Sequence, residues 1–364
     1  MQPIYFADAR APVTDVANWY QPEMSLVVRL EKLIDESGIL DFISGGDIVA
    51  VKTHFGDRGT TRILRSVFLR KISEGIKERG GRPFVTETTG LGLLRDRSTA
   101  VGRIEIAEEN GITHQTAGAP IIVVDGLLGL DYVISEVNGK HLKRVCVAKG
   151  IAEADAVVVA THFKLHMRAG IGGSIKNVGV GCVAKPTKYD IHVPNPPRII
   201  GEKCTECGKC VEICPTDAII DFQIDLNMCI KCTGCREVCE YEAVEIQPWL
   251  LGEELAERVV EATKGVMDIV GKDSFAFLNF MIDVTPHCDC HPFSDSPLMG
   301  DVGIFAGKDI VAVDKVCLDR LVESPKAPDA LIDGFWDGTA PERQLSYAAE
   351  LGLGNLRYRI SNIE

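Results

Sequence analysis

The chain has 364 residues, enough for one large α/β domain or two smaller ones. Its 52 acidic and 39 basic side chains give a net charge of −13, which argues against a nucleic-acid partner because phosphates demand a basic surface. No run of about 18 apolar residues occurs, and the N-terminus lacks a basic segment followed by an apolar core, so the sequence predicts no membrane contact or secretion.

The first half of the chain alternates helical and strand patterns. A strand, a helix and a strand in that order form a crossover unit, which predicts parallel strands in one sheet. Asn138-Gly139 lies between two further apolar runs and predicts a hairpin with a type I′ turn. We predict helices over 26–39, 61–79 and 99–110, strands over 47–51, 82–86 and 121–124, and hairpin strands over 132–137 and 141–147.

A buried strand and a glycine-rich loop follow. Residues 154–160 form a continuous apolar run, and His162, Lys164 and His166 come directly after it. Alternate residues of an extended segment point the same way, so we expect these three side chains to share one face. The glycine-rich stretch 170–177 opens into a predicted helix, and 186–197, with four prolines in twelve residues, is predicted to be a connector.

The stretch Arg198–Trp249 contains a duplicated cysteine motif. The spacing C-x2-C-x2-C-x3-C occurs twice, 25 residues apart. This is the spacing of a bacterial two-cluster ferredoxin, in which three cysteines wrap one iron–sulfur cube and the fourth reaches the other cube. The sequence predicts two 4Fe–4S clusters with crossed ligands: Cys204, Cys207, Cys210 and Cys239 for the first, and Cys229, Cys232, Cys235 and Cys214 for the second.

Structural zinc sites and disulfides are the alternatives for these cysteines. Zinc sites usually pair two C-x2-C dipeptides across a longer gap, and they have no use for the proline that follows the first motif, Pro215. The repeat also extends to apolar positions such as Ala218 and Ala243, which suggests two half-domains sharing one small core. These features favour the iron–sulfur interpretation.

The same stretch carries predictions about partner and compartment. It contains five basic and ten acidic side chains, a net charge of 5 − 10 = −5, which favours a basic redox partner protein. Oxygen-sensitive clusters and unpaired thiols belong in a reducing environment, so the sequence predicts a cytoplasmic protein.

The α/β pattern resumes after the cysteine-rich stretch. We therefore predict one α/β domain, 1–197 plus 249–364, whose mostly parallel sheet has helices on both faces. A small α+β ferredoxin-like domain, 198–248, is inserted into it. The elements predicted after the insertion are helices over 253–270, 309–322 and 341–351 and a strand over 274–282.

Several segments of the α/β part resemble the domain of unknown function 362 family. Specifically, the chain is similar to the branch of this family that carries a two-cluster ferredoxin module inside the domain. The family has no established activity, so the resemblance implies an architecture rather than a reaction. The segments are VKTHFG at 51–56, THFK at 161–164 with IGGSIKNVG at 171–179, CDC at 288–290, and DVG at 301–303 with KDIVAVD at 308–314.

A second site is predicted beyond the carboxyl ends of the strands, where open α/β sheets bind their ligands. Three predicted strands end in side chains with chemistry, and these converge in one crevice if the strands are parallel neighbours. The alternative is that they are ordinary surface residues. The three groups are Lys52 and His54; His162, Lys164 and His166; and His287, Cys288, Cys290 and His291.

Two roles are predicted for this set. The catalytic candidates are His54, His162, Lys164 and Cys288. A small carboxylate or phosphate would be bound by cationic side chains, by glycine amides and by the start of the following helix. The candidates for that binding are Lys52, His166, Gly172, Gly173, Lys176 and Asn177.

The C-x-C pair is open to three interpretations. Cys288 and Cys290, flanked by His287 and His291, could bind an additional transition metal such as zinc or iron. They could instead form a redox dithiol or a structural loop. A fourth metal ligand would have to come from elsewhere, such as His54 or His162.

Together these features predict an iron–sulfur oxidoreductase that passes electrons from two clusters to a substrate or cofactor in the crevice. The alternative is a ferredoxin-like electron carrier, or a binding or sensing protein that contains clusters. That alternative is favoured by the lack of a hydride-cofactor motif, since Gly90-Leu91-Gly92 lacks the third glycine of G-x-G-x-x-G.

Overall fold

The computed structural model describes residues 1–11, 16–330 and 332–363. Its strands are β1 Gln2–Asp8, β2 Ile48–Lys52, β3 Arg82–Glu87, β4 Ile121–Val123, β5 Tyr132–Glu136, β6 Arg144–Ala148, β7 Ala156–His162, β8 Lys164–His166, β9 Gly170–Gly172, β10 Arg198–Ile199, β11 Ile219–Ile220, β12 Gln223–Ile224, β13 Val244–Glu245, β14 Phe275–Met281, β15 Gly303–Gly307 and β16 Tyr358–Asn362. Its α-helices are α1 Leu26–Ser37, α2 Ser66–Glu78, α3 Ala100–Glu109, α4 His114–Ala117, α5 Lys149–Ala152, α6 Ser174–Gly179, α7 Lys185–His192, α8 Lys209–Glu212, α9 Gly234–Glu237, α10 Glu253–Val270, α11 Ile310–Glu323 and α12 Pro341–Glu350.

One large sheet organises the molecule. Its strand order is β16-β1-β15-β14-β7-β2-β3-β4. Strand β15 pairs antiparallel with both neighbours, whereas the other pairs in this sheet are parallel. The predicted fold class, an α/β fold with a mostly parallel sheet, is confirmed. Because β14, β7 and β2 are parallel neighbours, their carboxyl ends lie at the same edge.

The central strand β7 shows why this part of the sequence is continuously apolar. Val157 and Val159 pack into the core on one face of the sheet, together with α10, α11 and α12. Val158 and Ala160 pack into the core on the other face, together with α1 and α2. A strand covered on both faces has no solvent side, so the pattern does not alternate. Helices on both faces were predicted and are present.

Two local predictions were wrong. Only Asn138 of the Asn-Gly pair has a positive φ, whereas a type I′ turn requires two such residues. The chain instead reverses over four residues, with the Gly139 amide donating to the Leu142 carbonyl at 2.8 Å. The predicted connector 186–197 begins with a helix, α7, because Pro186 occupies the first turn, where its missing N–H costs nothing.

Three strands of the large sheet escaped prediction. Strands β1 and β16 pair at one end of the sheet and are mostly half-buried. Strand β15 is fully buried but begins and ends with glycine, Gly303 and Gly307, which weakens the strand pattern. Their pairing depends on partners from distant parts of the chain.

The cysteine-rich segment has short elements of its own. Strands β10 and β13 pair antiparallel, Arg198 opposite Glu245, and close the segment at its two ends. Helices α8 and α9 lie in the two motif repeats. Among the described helices, none is both long and apolar enough to span a membrane.

Candidate functional site

A cavity of about 230 Å³ lies at the edge of the sheet where β2, β7 and β14 end. The segments that follow these strands meet there, because the strands are parallel neighbours. Below, this space is called the central cavity. Of the residues predicted for the second site, the following line it: His54, His162, Lys164, His166, Gly172, Gly173, Lys176, Asn177, Cys288 and Cys290.

Lys52 does not line the central cavity but lies beneath it. Its side chain is fully buried, and its ammonium donates to Asn177 Oδ1 at 2.8 Å and lies 3.3 Å from Glu87 Oε1. Its charge therefore balances a buried carboxylate of the protein itself. The predicted role of Lys52 in binding a substrate anion is not supported by this position.

Glu87, at the end of β3, is the centre of a buried ion cluster. Its carboxylate pairs with Arg103 and accepts the backbone N–H of Phe55 at 2.8 Å. Burial acts to raise the pKa of Glu87, but His54, Lys52 and Arg103 outweigh it and hold the pKa well below its usual range. The residue is thus an anion that organises the floor of the cavity.

Asp289 is the second buried anion, on the opposite wall. Lys164 donates to it at 2.7 Å, and His162 Nδ1 lies 3.0 Å from its Oδ1. His162 Nε2 faces the Ile282 carbonyl at 3.0 Å, so both ring nitrogens are already engaged. His162 and Lys164, predicted as catalytic candidates, hold Asp289 and the loop that carries the two cysteines.

Burial and the hydrogen bonds at Nδ1 determine the protonation state of two other histidines of the cavity, His54 and His166. His54 Nδ1 accepts the Gly56 N–H at 2.8 Å, and burial lowers the pKa of His54 to about 4. His166 Nδ1 accepts the N–H groups of Arg168 and Ala169, each at 3.1 Å, and burial lowers its pKa well below the usual value. Both rings are therefore neutral at pH 7, and each carries its proton on Nε2.

His192, at the end of α7, has the opposite tautomer. Its Nδ1 donates to the Lys188 carbonyl at 2.7 Å, and burial lowers its pKa to about 4. The neutral ring then has a free lone pair on Nε2. His192 lines the central cavity, so it can accept a proton there.

The start of α6 is already occupied by an anion of the protein. Asp314 accepts the backbone N–H groups of Ser174 at 2.7 Å and of Ile175 at 2.9 Å. Burial raises the pKa of Asp314 to about 6, and these hydrogen bonds oppose that shift. The predicted contribution of this helix start to substrate binding is therefore wrong, because its amides are satisfied internally.

Lys176 remains as a cation for a ligand. It lines the central cavity, and its side chain makes no hydrogen bond or ion pair with other described residues. Arg97 also lines the cavity, where its guanidinium donates to Asp57 at 3.2 Å and to the Cys290 carbonyl at 2.9 Å. Among the described residues, Lys176 therefore gives the cavity an unpaired positive charge, whereas the charge of Arg97 is balanced by Asp57.

The two cysteines after β14 lie close to His166. The ligand atoms of Cys288, Cys290 and His166 all lie within 4.8 Å of one another. The hydrogen bond from the Cys290 thiol and the ammonium groups of Lys176 and Lys164 hold the pKa of Cys288 below its usual value, against the effect of burial. The two thiols thus interact with each other beside cationic side chains.

The structure changes which histidine could join Cys288 and Cys290 in binding the predicted additional metal. His287 forms an aromatic cluster with Phe293 and Trp336, their ring centroids 5.1 and 5.3 Å from its own. His291 Nδ1 lies 3.1 Å from the Cys288 carbonyl, and the histidine whose ligand atom lies near both thiols is His166. A metal-binding histidine normally donates its second N–H to an acceptor. His166 Nδ1 accepts instead, so its Nε2 bears a proton and is a poor ligand.

Two smaller cavities lie within the cysteine-rich segment. Each is bordered by four cysteines together with apolar side chains, and the two groups of four coincide with the predicted crossed sets. Four converging thiols suit a soft metal centre, so these residues fit the predicted clusters. The first cavity is bordered by Cys204, Cys207, Cys210 and Cys239, and the second by Cys214, Cys229, Cys232 and Cys235.

The second cysteine cavity lies close to the central cavity. The Gly92 amide donates to the Cys232 carbonyl at 2.9 Å, and Glu237 accepts the N–H of Leu93 at 2.6 Å. Leu91, in the same loop, lines the central cavity. The loop 90–94 thus lines the central cavity and is hydrogen-bonded to Cys232, which borders the second cysteine cavity.

Several residues of the site were missed by sequence reasoning. Glu87 follows a predicted strand, and Asp289 sits inside the C-x-C motif, so their positions carried a usable signal. His192 lay in a stretch interpreted as a connector. Arg97 lines the cavity from a single turn of 3-10 helix, Asp96–Ser98, and Trp249 from an irregular segment, and no sequence pattern indicated either residue.

Comparison with known proteins gives a family and a distant structural likeness. A family model described as "Domain of unknown function (DUF362)" matches residues 49–319. Among solved structures, the chain is similar to the lactate racemase apoprotein from Thermoanaerobacterium thermosaccharolyticum, with 13% sequence identity and a TM-score of 0.37. The match covers 77% of this chain and 52% of that chain, so this chain spans about half its length. No match was found among the curated proteins.

Proposed function

The chain belongs to the domain of unknown function 362 family, and on that premise we propose that it is an iron–sulfur oxidoreductase. Two 4Fe–4S clusters, held by the two sets of four cysteines, would exchange electrons with a small anionic molecule in the central cavity. The bound clusters would supply one-electron chemistry. The protein would supply the binding site, the proton and the exclusion of water.

Helix α7 is the observation that carries this proposal. Tyr189 lines the second cysteine cavity, whereas Lys188 and His192 line the central cavity. Residues three positions apart on a helix are separated by only about 4.5 Å along its axis. Helix α7 therefore borders both spaces, and the loop 90–94 lines the central cavity while its Gly92 amide donates to Cys232 of the second cysteine cavity. Such proximity supports electron transfer within the chain.

The charges of the central cavity support an anionic substrate. Glu87 and Asp289 are neutralised by Lys52, Arg103 and Lys164, so their negative charge is not presented to a ligand. Lys176 is left on the wall without an ion-pair partner among the described residues, and Arg97 also lines the cavity, paired with Asp57. A carboxylate or phosphate would form charge-assisted hydrogen bonds with them.

His192 is the proposed proton-transfer group. Its Nε2 lone pair can take a proton from a donor in the cavity and return it to the reduced molecule. The Nε2–H groups of His54 and His166 would donate hydrogen bonds to substrate oxygens. Trp249 lines the cavity, with its ring 5.9 Å from the His192 ring, and limits the entry of water.

A basic redox protein is proposed as the partner. Cys207 of the first set is exposed, so this set lies near the protein surface. The segment around it carries a net charge of −5, from five basic and ten acidic residues. An acidic patch of this kind steers a basic protein toward the exposed set.

The proposal is tested with protein purified without oxygen. We expect about eight iron atoms and eight sulfides per chain, the content of two 4Fe–4S clusters. The clusters are then reduced, and their reoxidation is followed by absorbance while carboxylates and phosphates are added one at a time. At least one anion should reoxidise them. Protein that lacks iron, or clusters that no anion reoxidises, would contradict the proposal.

Variants separate an enzyme from an electron carrier. Lys176→Ala should raise KM about tenfold or more, the effect of losing one charge-assisted hydrogen bond. His192→Gln should lower kcat and leave the iron content unchanged. The surface variant Lys149→Ala is the control. If both site variants pass electrons to every acceptor as fast as the parent, the protein is a carrier or sensor.

A further inference from the structure

Cys288 and Cys290 occupy a tight turn at the wall of the central cavity. The His291 amide donates to the Cys288 carbonyl at 3.0 Å, which closes a turn of four residues. Between the cysteines, Asp289 is anchored by His162 and Lys164. Both thiols line the cavity, and Cys288 is only 2% exposed. The pair is therefore fixed in position, with Cys288 buried and Cys290 partly exposed.

The backbone geometry permits a disulfide between the two residues. The first and third Cα atoms of such a turn are roughly 5 to 7 Å apart, and disulfides span about 4.4 to 6.8 Å. The two sulfur atoms already lie within 4.8 Å of each other. Small side-chain rotations would bring them to bonding distance without moving Asp289.

The surroundings distinguish this pair from the other thiols outside the cysteine-rich segment. Cys182 and Cys317 are packed in the apolar core, where burial raises their pKa values. Cys288 and Cys290 instead face cations and a cavity. The hydrogen bonds at His166 Nδ1 disfavour a metal as the reason for their proximity. What remains is chemistry at the sulfur atoms.

We propose that Cys288 and Cys290 form a redox-active dithiol that stores electron pairs at the central cavity. In the oxidised form one S–S bond joins them. Two electrons and two protons break that bond and give two thiols. In the reverse direction the thiols lose two electrons and two protons to a two-electron-reducible anion bound beside them, and the S–S bond forms again.

This inference rests on the proposed function for the source of its electrons. Each cluster would deliver one electron, and the dithiol would collect two of them for a substrate that accepts a pair. His192 lines the same cavity, and its Nε2 lone pair can take up a proton that the thiols release on oxidation. The oxidation state of the two cysteines can be measured whether or not clusters are present, so the two proposals are tested separately.

The test is a redox titration of the whole protein. Samples are equilibrated without oxygen in dithiothreitol buffers of increasing oxidised fraction, quenched with acid, unfolded, and treated with an alkylating reagent. Peptide mass spectrometry then reports which cysteines were thiols. We expect Cys288 and Cys290 to lose their label together in a single step with the slope of a two-electron couple. Zinc, iron and sulfide are measured on the same samples.

Variants and alternatives complete the experiment. In Cys288→Ser the step should disappear and Cys290 should stay labelled at every potential, whereas Cys146→Ser should leave the step unchanged. Continued labelling of both cysteines throughout the titration would overturn the inference. So would one zinc per chain that is lost in Cys288→Ser. A disulfide that forms in protein without iron would support the dithiol and contradict the proposed function.

Discussion

Glu87 illustrates how one buried charge determines the roles of its neighbours. It is 4% exposed and forms ion pairs with Arg103 and Lys52. Its Oε2 atom lies 3.6 Å from His54 Nδ1. Lys52 and His54, which were predicted as separate site residues, and Arg103, which was not predicted, are thereby associated with one anion. Removing the carboxylate leaves buried cations without a partner, which costs more than the net value of the ion pairs.

Replacing Glu87 tests this cluster. Glu87→Gln should lower the free energy of unfolding by roughly 3 to 5 kcal/mol, the usual cost of breaking a buried ion pair. The measurement is urea denaturation followed by circular dichroism. Glu105→Gln, which removes one of three carboxylates that pair with the exposed Arg58, is the control and should change the free energy by less than about 1 kcal/mol. Equal effects would contradict the role given to Glu87.

His192 gives a prediction about pH. Its pKa is about 4 in the folded protein because of burial, and near 6.5 in the unfolded chain. Between these values the unfolded state binds more protons. Stability therefore falls as pH is lowered from about 6.5 to 4, by up to roughly 1.4 kcal/mol per pH unit from this group.

The prediction is checked by denaturation at several pH values. In His192→Gln the decrease in unfolding free energy across this range should be shallower than in the parent. His114→Gln changes an exposed histidine and should leave the slope as it was. A parental slope in His192→Gln would show that the His192 ring is not held neutral in the folded protein.

At the scale of elements, the close approach of α6 and α11 explains part of the glycine-rich loop. Asp314, on α11, caps the first amides of α6 across the sheet edge. A Cβ atom at Gly173 would lie 2.5 Å from Asp314 Oδ1. Glycine is required there by contact with a neighbouring element, since the φ angle of Gly173 is an ordinary −97°.

Alanine at this glycine should separate the two helices. Gly173→Ala should destabilise the protein by roughly 1 to 3 kcal/mol, the range for overpacking a core. A Cβ at Gly45 meets no atom within 4 Å, so Gly45→Ala is the matched control. We expect no loss of stability in the control, because alanine restricts the unfolded chain. Thermal melting of both variants provides the comparison.

At the scale of the molecule, the contact between the cysteine-rich segment and the α/β part positions one for the other. The Glu237 carboxylate accepts the backbone N–H groups of Leu93 at 2.6 Å and of Leu94 at 3.0 Å. Next to these, the Gly92 N–H donates a hydrogen bond to the Cys232 carbonyl. A carboxylate that accepts two backbone amides fixes the loop 90–94 against α9. This loop also lines the central cavity, so its order affects both spaces.

Loss of Glu237 should loosen this contact. Glu237→Ala should speed hydrogen exchange at 91–94 and at 232–239 by about tenfold, the equivalent of roughly 1.4 kcal/mol of local stability. Glu242→Ala is the control, since Glu242 is exposed and pairs with Arg236 at 3.3 Å at the surface. Unchanged exchange in Glu237→Ala would show that other contacts determine the docking.

The sequence by itself predicted the fold class, the parallel strands and most of the helices. Apolar periodicity is a local property. The seven residues of strand β7 are enough to predict that both of its faces are buried. The cysteine spacing is also local, so the two crossed sets of four cysteines were predicted from the sequence alone. Features that depend only on residues close together in the chain were therefore predicted.

Only the tertiary structure decided which charged groups are available to a ligand. Lys52 is engaged by Glu87 and Asn177, and the start of α6 is engaged by Asp314, 140 residues away from Ser174. His166, rather than a neighbour in sequence, joins the two cysteines. Electrostatic interactions and hydrogen bonds depend on distance in space. Folding brings together partners that cannot be recognised from their positions in the chain.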